Sequence, residues 1–132
     1  MGAWGLGNFE NDTALDWLAD FEQQPTIIQL EQTIDQVFVE EYLDSDLSTE
    51  ALAAIEIVAA IRNKPCPGFP ETDMEAIGKL STSLNDELIQ KSLLAIERIL
   101  LPEENELYEL WAEAEKPDAW VAVQENLIRR LY

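Results

Sequence analysis

Histidine is absent from the 132-residue chain, and cysteine occurs once, at Cys66. The first absence removes the usual general base, the Ser-His and Cys-His nucleophile arrangements and the commonest transition-metal ligand. With one Cys and no His, neither a zinc site nor a helical di-iron site of the Glu-x-x-His kind is expected. Cys66 has no partner for an internal disulfide, and no basic, apolar and cleavable segment opens the chain, so the expected compartment is a reducing cytoplasm. Basic residues are scarce and unevenly placed. Against 27 Asp and Glu there are 8 Lys and Arg, for a formal net charge of -19, and none of the eight precedes Arg62. Long apolar runs are missing too. The strongest, Ala51 to Ile61, contains Glu56 and falls short of the roughly 20 residues that span a bilayer. It reads as a core helix, and membrane attachment is not expected.

The unbalanced negative field repels nucleic acid phosphates and attracts basic partners, or it serves solubility alone. Nucleic acid binding is therefore not expected. The length suits one domain, 1–132, able to bury a core without staples.

What is present is helical periodicity. Asn11 or Asp12 can cap a first helix that turns Ala14, Trp17, Leu18 and Phe21 inward, leaving Asp12, Asp16 and Asp20 as an acidic row in water. Thr26 can cap a second helix with Ile27, Leu30, Ile34, Val37, Phe38 and Tyr42 inward and Glu31 and Asp35 outward. Ser48 is the expected cap of a third, central helix that is apolar nearly all round. The stretch KPCPGFPET, residues 64–72, fits no helix and reads as a crossover between N-terminal helices in 1–63 and C-terminal helices in 73–132. Beyond it, helices are predicted over about 73–80, from Asn85, from Asn105 and from Pro117. They bury Leu88, Ile89, Leu93, Ile96, Ile99 and Leu100, then Leu107, Leu110, Trp111 and Ala114, then Trp120, Val123, Leu127 and Leu131. Alternating apolar and polar runs are missing, so the expected class is all-α, a single bundle of six to seven helices.

Site chemistry is thin. Asp44-x-Asp46-x-Ser48 opens like a calcium loop, but Thr49 stands where glycine is needed and Ile55 where the bidentate Glu belongs, so these acids read as a turn and cap. Carboxylates could serve a hydrolase only if one were kept neutral in an apolar pocket. For Asp12, Asp16 and Asp20 a solvated face is the expected reading. Cys66, among acids, should have its pKa raised and be inert. No catalytic residue, cofactor or metal is assigned.

The chain opens MGAWGLGNFEND. The glycines lack the third spacing and preceding strand of a dinucleotide fingerprint and lie in the acidic half, so a phosphate cradle is not expected. They are expected to permit positive φ and close backbone approach, letting Trp4 and Phe9 fold inward as a plug; the alternative is a lid over a ligand. Met1-Gly2-Ala3-Trp4-Gly5-x-Gly7-x-Phe9-x-Asn11-Asp12, with Ala14 and Asp16-Trp17, resembles the start of the bacterial domain-of-unknown-function family 4259. The run Glu106 to Trp111, then Trp120 and Arg130-Leu131, is similar to that family as well. The resemblance implies a small stand-alone bacterial protein and carries no catalytic residue across.

The functional expectation is a non-catalytic protein that meets a basic partner through Asp12, Asp16, Asp20, Glu31 and Asp35, in its sharpest form an immunity or antitoxin role. The alternatives are a carboxylate hydrolase and a small-ligand binder with the N-terminal segment as lid. The acids of the first two helices are expected to lack ion-pair partners, the later basics being engaged locally, as Glu87 with Lys91 and Glu125 with Arg129 at i, i+4.

Overall fold

The computed structural model describes residue 3 and residues 5–132. Among them are seven α-helices and one 3-10 turn, and the chain is all-α as expected: α1 Asp12–Gln23, α2 Ile27–Asp35, the 3-10 turn Gln36–Phe38, α3 Ser45–Ile61, α4 Glu71–Gly78, α5 Asp86–Ile99, α6 Glu106–Glu113 and α7 Pro117–Leu131. The starts follow local chemistry. The side chains of Asn11, Thr26, Asn85 and Asn105 each accept from the backbone N–H three residues on, which satisfies one of the orphan donors of a first turn. Pro117 occupies the first turn of α7.

Helix α3 is the hub, packing against each of the other six helices and the 3-10 turn. It can do so because nearly every side chain from Ser48 to Ile61 is buried, and five of them are alanines that let neighbours approach closely. Its cap is Asp44, whose Oδ1 accepts from the Leu47 N–H at 2.7 Å; Ser48 lies a turn inside and is buried. The helix closes with Asn63 at φ 66, while the Asn63 and Lys64 N–H groups return to the Ala60 and Ala59 carbonyls. In the crossover, Pro67 and Gly68 (φ 80) form the centre of a turn closed by Phe69 N–H to the Cys66 carbonyl. That turn brings Phe69 onto Phe9, ring centroids 5.9 Å apart.

Several expectations are corrected. The second helix stops at Asp35, so Phe38 and Tyr42, expected inward, are 45% and 47% exposed. The reason is Arg98 of α5: its guanidinium donates to the backbone carbonyls of Val37, Glu40 and Glu41, the last at 2.9 Å, giving this backbone partners that a continued helix would not. Leu93, Leu100, Leu110 and Val123 are half-buried, and Ala114 is the exposed C-cap of α6. Helix α4 begins earlier than expected because Pro70 can precede its first turn, and it ends at Gly78. Gly7 has no positive φ, and the Glu10 carboxylate lies against both Gly5 and Gly7 where a Cβ would stand, so the close approach there is made by a side chain.

Candidate functional site

Trp17, Trp111 and Trp120 are buried, so these signature residues are core. Trp17 stacks on Phe21 and its indole donates to Thr33 Oγ1 at 3.1 Å; Trp120 meets Tyr108 edge-on. Phe9 is half-buried against the core, as are Ala3 and Leu6, and Asn11 caps α1. The Gly7 N–H, which a phosphate cradle would need free, donates to Glu10 Oε1 at 3.0 Å. Gly2 and Trp4, and with them the plug reading of Trp4, lie outside the described residues.

The five acids named from the sequence separate into two groups. On α1, Asp12, Asp16 and Asp20 are exposed, and α3 runs beside them. Thr13 Oγ1 donates to Asp46 Oδ1 at 3.2 Å, so the side of α1 that carries Thr13, Asp16 and Asp20 faces Asp46 and Glu50 of α3. Burial, and then the charges of Asp46, Asp44 and Asp20, push the Glu50 pKa above its ordinary value. Among the described residues no Lys or Arg side chain reaches any of these carboxylates within salt-bridge distance. Glu31 and Asp35 belong elsewhere. Asp35 Oδ1 is 2.8 Å from Lys91 Nζ, and the Lys91 pKa is raised first by this hydrogen bond, then by the charges of Asp35, Glu31 and Glu87. The expectation that the acids of the second helix stand unpaired is corrected: helix packing brings α5 against α2, and Lys91 takes Asp35 across that contact rather than pairing only within its own helix.

The basic residues are mostly spent internally. Arg98 also holds Glu104, and Arg62 and Lys64 donate to the Tyr132 backbone oxygen. Arg130 pairs with Glu56, the one charge on the apolar stretch of α3 and only 1% exposed. Nη1 donates to Oε1 at 2.8 Å and Nη2 to Oε2 at 3.1 Å, while Asn8 Nδ2 donates to Oε2 at 2.8 Å. Asn8 and Gln124 exchange two amide hydrogen bonds, at 3.0 and 2.8 Å. This buried clasp ties the N-terminal segment, α3 and α7 together. The sequence reading missed it; the available signal was a lone Glu inside an otherwise apolar helix, which demands a distant partner.

Above the clasp lies an open groove of about 500 Å³, mainly apolar, between the Leu6–Glu10 segment, the crossover and α7. Cys66 lines it, half-buried, with its pKa pushed up to about 11 by burial and then by the Glu56 charge, so at neutral pH it is a thiol and a poor nucleophile. A second carboxyl pair joins α1 to α4. Glu22 is raised to about 7, first by its hydrogen bond to Asp73, then by burial and the Asp73 charge. The adjoining cavity is about 30 Å³, room for little more than a water, whereas ligand pockets run to roughly 300 Å³ or more. Glycosidase carboxyls must also stand roughly 5 Å or more apart, and these two share a hydrogen bond. Among the described residues no three His, Cys, Asp or Glu side chains converge as a metal site, and no helix is long and apolar enough to cross a membrane.

The family model described as Domain of unknown function (DUF4259) matches residues 2–123. The chain belongs to this family. No curated protein and no solved structure matches it. The resemblance drawn from the opening residues and from Glu106 to Trp111 thus agrees with a match over most of the chain. In that second run, Leu107 and Trp111 are buried, Glu106 Oε1 accepts from the Ser45 N–H at 2.9 Å, and Glu109 accepts from the Tyr42 hydroxyl at 2.9 Å. The Ser45 contact joins α6 to the start of α3 and holds the Glu106 pKa below its ordinary value, while the Tyr42 contact ties α6 to the loop before α3. The run is architectural.

Proposed function

We propose that this family member is a non-catalytic interaction protein whose α1–α3 face receives a basic protein, with an immunity- or antitoxin-like role as the sharpest form. The observation that carries the reading is the ladder of Asp16 and Asp20 beside Asp46 and Glu50, with Asp12 at its end. Burial first, and then the charges of Asp46, Asp44 and Asp20, raise Glu50, and among the described residues no Lys or Arg stands within salt-bridge distance of these carboxylates. A partner's Lys and Arg would relieve that repulsion, speed encounter and orient docking. Asp35 is left out of the face because Lys91 pairs with it, and Glu31 because its charge also falls on Lys91.

The test is capture from cell extract on immobilised protein at low and physiological salt, then association kinetics with the captured protein across a salt series. The expected partner is cationic. Replacing Asp16, Asp20 and Asp46 with Asn and Glu50 with Gln should leave the helices intact while slowing association and flattening its salt dependence. An unchanged rate and slope would refute the acidic face.

A further inference from the structure

A second surface carries its own signal. Phe38, Val39, Tyr42, Leu94 and Leu101 are large apolar side chains between 45% and 69% exposed. They gather around one residue. Arg98 holds the carbonyls of Val37, Glu40 and Glu41, so Phe38 and Val39 sit on the loop wrapped over its guanidinium and Tyr42 follows directly. Leu94 lies one turn before Arg98 on α5, and the Leu101 N–H bonds the Arg98 carbonyl at 3.1 Å. Leu43 N–H bonds the Glu104 carbonyl at 2.9 Å, which brings the Tyr42 end of the loop against the segment after Leu101. An apolar centre of this kind with a polar surround has the anatomy of a protein interface.

The surround is mostly acidic. Glu40, Glu41, Glu97, Glu103, Glu104 and Glu109 flank these residues; of the two cations nearby, Arg98 has turned its donors to backbone carbonyls and Glu104, and Lys91, one turn before Leu94, pairs with Asp35. We propose that this patch docks an amphipathic, cationic segment of a partner protein, apolar side chains on Phe38, Val39 and Leu101 and flanking Lys or Arg on the carboxylates. A second copy is the wrong occupant on charge grounds, because it would set this ring of carboxylates against its own image in a chain of net charge -19. The inference rests on the reading that the partner is cationic, but it places the apolar anchor on the 3-10 turn, its loop and α5 rather than on α1 and α3.

The test uses two synthetic peptides of equal positive charge, one a Leu/Lys amphipathic helix and the other a Ser/Lys sequence, titrated by fluorescence anisotropy near physiological salt. The expected result is a preference for the Leu/Lys peptide of at least about tenfold. Val39→Ser with Leu101→Ser should abolish that preference, while Ile28→Ser, an exposed position on α2, and the α1–α3 acid variant should both keep it. Circular dichroism confirms that each variant is folded. Equal affinity for the two peptides, or a preference that survives the Val39/Leu101 change, overturns the inference alone. So does a concentration-dependent dimer, seen by sedimentation, that the Val39/Leu101 change abolishes. Failure of both peptides to bind even at low salt overturns the cationic-partner reading and this inference with it.

Discussion

Replacing Arg130 with Met keeps most of the side-chain volume and removes the charge that answers Glu56. The carboxylate is then left 1% exposed in the parent geometry, with the Asn8 amide as its remaining donor. Breaking a buried pair by removing one partner costs about 3 to 5 kcal/mol, because the uncompensated charge stays in a medium that solvates it poorly. Against a typical domain stability of about 5 to 15 kcal/mol, that is a large fraction. For a chain of this length it corresponds to a drop of roughly 10 to 20 °C in thermal midpoint. The double change Glu56→Leu with Arg130→Met removes both charges, leaves the reciprocal Asn8–Gln124 bonds in place, and should recover much of the loss. Thermal and urea unfolding followed by circular dichroism on the parent, both single variants and the double variant complete the cycle. A loss below about 1 kcal/mol in Arg130→Met would refute the argument, and would mean that water entering by the adjacent groove solvates Glu56.

Stability should also depend on the Glu22–Asp73 pair. Glu22 is raised from 4.5 to about 7, so between those values the folded state holds a proton that the unfolded state has released, and the pair's contribution falls as pH rises through about 7. Glu22→Gln should flatten the pH dependence of the thermal midpoint between about pH 5 and 8, and an unaltered profile would contradict the shared proton. Glu115 closes α6 at φ 62, in the left-handed region and with its negative charge at a helix C-terminus; Glu115→Gly should stabilise by about 0.5 to 1 kcal/mol, read by urea unfolding. Asn105 is fully buried, donates to the Ile99 and Leu101 carbonyls at 2.6 and 2.7 Å and accepts from the Tyr108 N–H at 2.7 Å, so Asn105→Ala should cost about 2 to 4 kcal/mol in the same assay.

The helical class, most helix starts and most of the core follow from local residue pattern. Asn11, Thr26, Asn85, Asn105 and Pro117 mark helix beginnings through contacts that span only a few residues, and helical periodicity places Trp17, Phe21, Leu30, Ile34, Trp120 and Leu127 inward whatever lies opposite. The apolar character of α3 from Ala51 to Ile61, broken only by Glu56, likewise required a central place, because no side of that stretch could face water. Where local signals competed, they misled: Ser48 and Asp44 are both good caps, and only the packing of Glu106 against the Ser45 N–H accompanies the choice of Asp44.

Tertiary structure alone decided the rest, because it depends on partners far away in the chain. Glu56 meets Arg130 across 74 positions and Asn8 meets Gln124 across 116, pairings that no periodicity encodes. Arg98 reaches 61 positions back to Val37 and ends a helix that the apolar pattern would have continued, which is why Phe38 and Tyr42 turn outward. The same packing sorted the acids. One row of carboxylates on α1 reads alike from Asp12 to Asp20, and another on α2 from Glu31 to Asp35; Asp46 and Glu50 came to lie beside the first, and Lys91 came to lie beside the second. Charge is written in the sequence, but whether a charge stands alone is settled by which helices are neighbours, since screening and pairing act over a few ångströms of space and not along the chain.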